Sequence, residues 1–116
     1  MTVEEVVKAL NLRVISDGDA KGLKREVDGG YVSDLLSDVM GHAESEQIWI
    51  TLQTHKNVMA IASLKELAAI ILVKGLEPSS DMLEQSRLEN IPILGTEEET
   101  FQTAGQLYAF LKLGNK

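Results

Sequence analysis

The chain moves between two hydrophobic rhythms. In "TVEEVVKALN", Val3, Val6, Val7 and Leu10 fall on one helical face, and Thr2 with Glu5 makes a capping box, so a first amphipathic helix is predicted. "LRVIS" is a short apolar run closed by "DGD", a strand ending in a turn at Gly18. A second extended piece is predicted over Leu23 to Val27, leading into Gly29 and Gly30, which read as a tight turn. Beyond them Val32, Leu35, Leu36 and Val39 recur at three- and four-residue spacing. They predict a short helix ending near Gly41, with Ser33 or Asp34 placed to accept from its first-turn amides.

In "QIWITLQ", Ile48, Ile50 and Leu52 alternate with Trp49 and Thr51, a strand buried largely on both faces. "NVMAIASLKELA" is apolar almost all round, as expected of a well-buried helix. The unbroken run "AIILV" marks a central parallel strand covered on both sides. "SSDMLEQSRLEN" predicts a helix with Asp81 and Glu84 at capping-box spacing. "IPIL" predicts a further short strand, with Pro92 at an edge or at the strand start. A last helix follows, opened by Thr96 and Glu99, with Phe101, Ala104, Tyr108 and Leu111 as its inner stripe.

Strands alternating with helices imply right-handed crossovers. The expected fold is α/β, a three-layer α/β/α arrangement around a mostly parallel sheet of about five strands. No linker, repeat or low-complexity tract interrupts residues 1–116, which are read as a single domain.

Composition narrows the function classes. A formal net charge of -7 and few aromatic residues argue against nucleic acid as a partner. Without cysteine there are no disulfides, thiolate metal sites or cysteine nucleophiles. The longest apolar run is too short to span a bilayer and no signal pattern opens the chain, so a cytoplasmic protein without a membrane partner is expected. Arg13, Lys21, Lys24 and Arg25 cluster ahead of the glycine pair and leave room for a small anion.

In an open parallel sheet, ligands bind beyond the carboxyl ends of the strands, where loops and helix amino termini converge. The candidate ligand-binding residues are therefore Thr51, Gln53, Thr54, His55 and Asn57, with Lys74, Gly95 and Thr96 at the neighbouring strand ends and Gly29 and Gly30 nearby. The competing reading of "TLQTHKN" is that Thr54 or Asn57 caps the next helix while His55 bonds to backbone. Asp34, Asp38 and His42, spaced by four, would share one face of a continuous helix; a solvated face is the better reading than a metal site, and no metal is assigned. No phosphate loop, nucleophile elbow or zinc-protease motif occurs, so no catalytic residue is assigned.

The segments "GGYVSDLLSDVM", "WITLQTHKNVMAIASLKELAAIIL" and "IPILGTEEETFQTAGQLYAFL" together resemble DRTGG domains over roughly Leu12 to Leu111, especially the small standalone ones. The resemblance implies a three-layer domain related to the N-terminal domain of HPr kinase/phosphorylase. Such domains also accompany phosphotransacetylases and the CBS modules of regulated pyrophosphatases, as regulatory and dimerising parts. The name-giving motif falls on Glu26, Val27, Asp28, Gly29 and Gly30, of which only the glycines match. Val27 replaces the arginine and Asp28 the threonine, and both changes lower the affinity expected for an anion.

On this resemblance the leading reading is a non-catalytic regulatory or sensor module. It would form a homodimer, bind an adenine nucleotide or other small effector rather than a cofactor, and serve a partner enzyme or regulatory protein. The alternative is a structural dimerisation or adaptor protein, suggested by the apolar surplus of "NVMAIASLKELA". A small enzyme with His55 as general base is the third reading.

Overall fold

The computed structural model describes residues 1–113. Five strands form one sheet in the order β1-β5-β4-β3-β2: β1 (Arg13–Ser16), β2 (Gly29–Val32), β3 (Gln47–Thr51), β4 (Ala69–Leu72) and β5 (Ile93–Gly95). β2 to β5 are mutually parallel and β1 is antiparallel to β5. The helices are α1 (Val3–Leu10), α2 (Leu36–His42), α3 (Asn57–Leu64), α4 (Ser80–Glu89) and α5 (Thr100–Leu113). The expected mostly parallel α/β sheet is the one observed.

Successive strands from β2 to β5 step across the sheet in one direction, so right-handed crossovers place α2, α3 and α4 on the same face. α1 and α5 cover the other face. The pleat divides the strand residues accordingly. Ile48, Ile50, Ala69, Ile71 and Leu94 pack with Val3, Val6 and Leu107, while Trp49, Ile70, Leu72 and Ile93 pack with Val39, Val58, Met59 and Met82.

Several local expectations are corrected. Leu23 to Val27 is not a strand: Gly22–Lys24 makes a single 3-10 turn, and Glu26 then bridges to Thr2. The second strand comprises the glycine pair itself, which is extended backbone rather than a turn. α2 starts at Leu36 with no side-chain cap, because Ser33 serves the Leu35 amide and Asp34 reaches across to β3. α2 also runs through Gly41 to His42. α4 is capped by Ser79, whose hydroxyl accepts from the Met82 amide, rather than by the Asp81–Glu84 pair.

The inner stripe of α5 keeps Ala104 and Leu111, which pack against the core, but is centred on Thr103 and Leu107. Thr103 and Leu107 are buried, whereas Phe101 and Tyr108 are 86% and 67% exposed. The Thr2–Glu5 capping box is formed as expected, with the Thr2 hydroxyl accepting from the Glu5 amide and the Glu5 carboxylate from the Thr2 amide.

Candidate functional site

Eight of the ten candidate residues meet at the carboxyl edge of the sheet. Thr51 ends β3 and Gly95 ends β5; Gln53, Thr54, His55, Lys74 and Thr96 occupy the loops that follow, and Asn57 opens α3. Much of the polarity there is spent on holding the loops together. The buried Thr51 hydroxyl donates to Asp34 Oδ1 at 2.9 Å, and the Leu52 amide donates to the same oxygen at 2.8 Å. Gln53 Nε2 donates to the Asp34 carbonyl at 2.9 Å.

The lacing continues from loop to loop. The Thr54 carbonyl accepts from the Ser79 amide, the Glu98 carbonyl from the Lys74 amide, and the Thr96 carbonyl from the Gly75 amide, each at 2.9 Å. The Thr96 hydroxyl accepts from the Glu98 amide. Neither Thr54 nor Asn57 caps α3, whose first turn receives no side-chain bond. His55, Asn57 and Lys74 remain exposed. A Cβ on Gly95 would come within 2.8 Å of Ile15 Cδ1, so a side chain there would have to displace the end of Ile15.

Gly29 and Gly30 lie at the opposite, amino end of the sheet, where they pair with Gln47 and Ile48. They form part of the floor of a groove of about 610 Å³ between β2 and α5. Two helices cover five strands on this face, and α5 leaves β2 only partly roofed. Val32 and Ile50 complete the floor, and Ala104, Leu107, Tyr108 and Leu111 form the wall. Polar groups stand at one end: the exposed Asp28, the half-buried Gln47, and Lys112, whose Nζ lies 5.8 Å above the centre of the Tyr108 ring. A volume of this order is typical of sites for drug-sized ligands.

The cations flagged ahead of the glycines do not converge on the groove. Arg25 is committed to the amino edge, where Nη2 donates to the Leu67 carbonyl at 2.9 Å and Nη1 to the Asn90 carbonyl at 3.4 Å. Arg13 forms an ion pair with Glu77. Val27, at the position of the motif arginine, is a core residue.

Asp34, Asp38 and His42 do not share one helix face, because Asp34 precedes α2. Asp38 instead accepts from the Tyr31 hydroxyl at 2.8 Å and pairs with His42 Nδ1 at 3.3 Å. The Tyr31 hydrogen bond is the main cause holding the Asp38 carboxyl below its ordinary range, helped by Ser33 and His42. The same bond raises the Tyr31 phenol. Among the described residues no cluster of three or more metal-ligating side chains occurs.

A sequence model of the DRTGG domain matches residues 5–110. The chain belongs to the DRTGG domain family. Among curated proteins none matches it. One solved structure similar to this DRTGG domain holds the CBS and DRTGG domains of the regulatory region of a Clostridium perfringens pyrophosphatase, complexed with its activator diadenosine tetraphosphate. The TM-score is 0.69 at 13% identity, a likeness of fold. It covers 91% of this chain and 45% of that one, so this DRTGG domain spans less than half the length of its neighbour.

Eight of the residues expected from sequence stand at the carboxyl edge, and the other two, Gly29 and Gly30, stand in the groove. The sequence pattern puts Tyr108 in the inner stripe and gives no sign of Leu107, Gln47 or Lys112 as groove residues, while Asp28 is marked only by its place in the family motif. A usable signal was present in "TAGQLYAFL", where Thr103, Leu107 and Leu111 keep a four-residue spacing that turns Tyr108 outward.

Proposed function

We propose that this DRTGG domain is a single-domain, non-catalytic regulatory module that receives a small effector in the groove between β2 and α5 and serves a partner enzyme. The observation that carries the reading is that the glycines of the family motif form part of the groove floor, beneath the wall supplied by α5. An adenine nucleotide is the first candidate effector. The exposed Tyr108 ring offers a stacking surface, Asp28 and Gln47 offer partners for ribose hydroxyls and a base edge, and Lys112 offers one phosphate contact. The activator bound by the pyrophosphatase region is of the same chemical class. The commitment of Thr51 to Asp34, beside an exposed His55, favours a non-catalytic role over an acid–base site at the carboxyl edge.

Thermal unfolding in the presence of AMP, ADP and ATP tests this reading. An effector at 100 times its dissociation constant stabilises by about 2.7 kcal/mol, and Tyr108→Ala should remove that gain while leaving the melting of the free protein unchanged. No stabilisation by any of the three removes support for a nucleotide effector.

A homodimer is the second reading, favoured by the outward face of α5. Phe101 and Tyr108 are exposed there, and Gly105 lies on the same face with open space around it. Light scattering at micromolar concentration tests it, a monomer arguing against a stable dimer.

A further inference from the structure

The two edges of the sheet are built differently. β1 is guarded: its pairing with β5 is irregular between Val14 and Ser16, and it carries the Arg13–Glu77 ion pair. Irregular register and charge are devices that stop an edge from adding strands. β2 has neither a bulge nor a lysine or proline, and it pairs with β3 in unbroken register from Gly29 to Val32.

The backbone of β2 has a defined free side. The Ser33 amide donates to the Ile50 carbonyl just beyond the Val32–Ile50 pair, so strand alternation turns the N–H and C=O groups of Gly30 and Val32 away from β3. Gly30 has no side chain to screen its groups. Tyr31 has its side chain on the α2 face, where the hydroxyl is tied to Asp38. Above this edge lies the apolar part of the groove, and beside its start stand three exposed carboxylates, Glu26, Asp28 and Glu46.

We propose that the free edge of β2 receives an extended segment of a partner protein as a sixth strand. An apolar side chain of that segment would lie over Gly29 and Gly30 against Leu107 and Tyr108, and a basic residue would meet Asp28, Glu26 and Glu46. Charge selects this occupant over a second copy of the chain: each copy carries a net charge of -7, which opposes self-pairing and favours a basic segment. Main-chain bonds supply affinity and alternate side chains supply selectivity, as in other strand additions. The inference goes beyond the effector reading: the main chain of the segment would lie at the sheet edge, while one of its side chains would enter the effector groove and compete there for Leu107 and Tyr108.

An array of seven-residue peptides with alternating apolar and polar residues tests the proposal, one set ending in two lysines and a matched set in two glutamates. The protein should retain the lysine set and not the glutamate set. Val32→Pro removes an outward amide while sparing the β3 ladder, and should weaken retention about tenfold. Asp28→Lys combined with Glu46→Lys leaves the backbone untouched and should invert the preference. Retention of neither set, equal retention by Val32→Pro, or no change on charge reversal would overturn the proposal. So would sedimentation showing a dimer that Val32→Pro dissociates, because the edge would then belong to a second copy.

Discussion

Leu107 of α5 rests in the space that a side chain on Gly30 would occupy: a Cβ at that position would approach Leu107 Cδ2 to 2.8 Å. The adjacent Gly29 is different, its nearest neighbour being Gln47 Cγ at an ordinary 3.6 Å. Gly30 lets α5 settle on the sheet, whereas a side chain on Gly29 would project on the opposite face, the one that Tyr31 occupies.

The two glycines should therefore respond oppositely to substitution. Gly30→Val forces Leu107 aside and should cost about 1–3 kcal/mol. Gly29→Ala meets no obstruction and has no positive φ, so it should be neutral or stabilising by up to about 1 kcal/mol. Urea unfolding of both variants checks the contrast.

Asp34 ties the loop after β2 to the end of β3 through the Thr51 hydroxyl and the Leu52 amide. Asp34→Ala leaves the buried Thr51 hydroxyl without that partner and should destabilise by about 1–3 kcal/mol. Amide exchange at Leu52 should quicken in parallel. An unchanged midpoint and unchanged exchange would mean that the loops are held by something else.

The Tyr31–Asp38 bond gives stability a pH dependence of defined sign. Asp38 has a depressed pKa when folded, so its contribution is present above the unfolded carboxylate pKa and is lost as pH falls through the folded value. Tyr31→Phe removes the largest cause of the depression. An NMR titration should then find the Asp38 carboxyl moved up toward its ordinary range, and acid unfolding should show a weaker dependence on that group.

Leu107 and Tyr108 are neighbours in sequence with separate roles. Leu107→Ala should cost about 2–5 kcal/mol, as for other core leucines. Tyr108→Ala, at a residue 67% exposed, should leave stability within about 0.5 kcal/mol. Calorimetry of the two variants distinguishes core from groove wall.

The fold was readable because its core strands obey simple patterns. "AIILV" and "QIWIT" are covered on both faces and show it in composition, and Thr2 with Glu5 fixes the first helix by local chemistry. The second strand escaped notice because Gly29 and Gly30 carry no side chain from which a period could be read. Their extended conformation comes from pairing with Gln47 and Ile48, a contact distant in sequence. Asp34 was read as a local cap because its true partner, Thr51, lies seventeen residues further on. The groove depends on how α5 seats over β2, where Leu107 fills the space above Gly30, a contact distant in sequence.

The central claim is that an effector enters the groove between β2 and α5. Backbone NMR of the labelled protein titrated with AMP tests it most directly. The account predicts saturable shifts at Gly29, Gly30, Gln47, Leu107 and Tyr108, with Thr54, His55 and Asn57 unmoved. Shifts confined to Thr54–Asn57, or none at all with AMP, ADP or ATP, would contradict it.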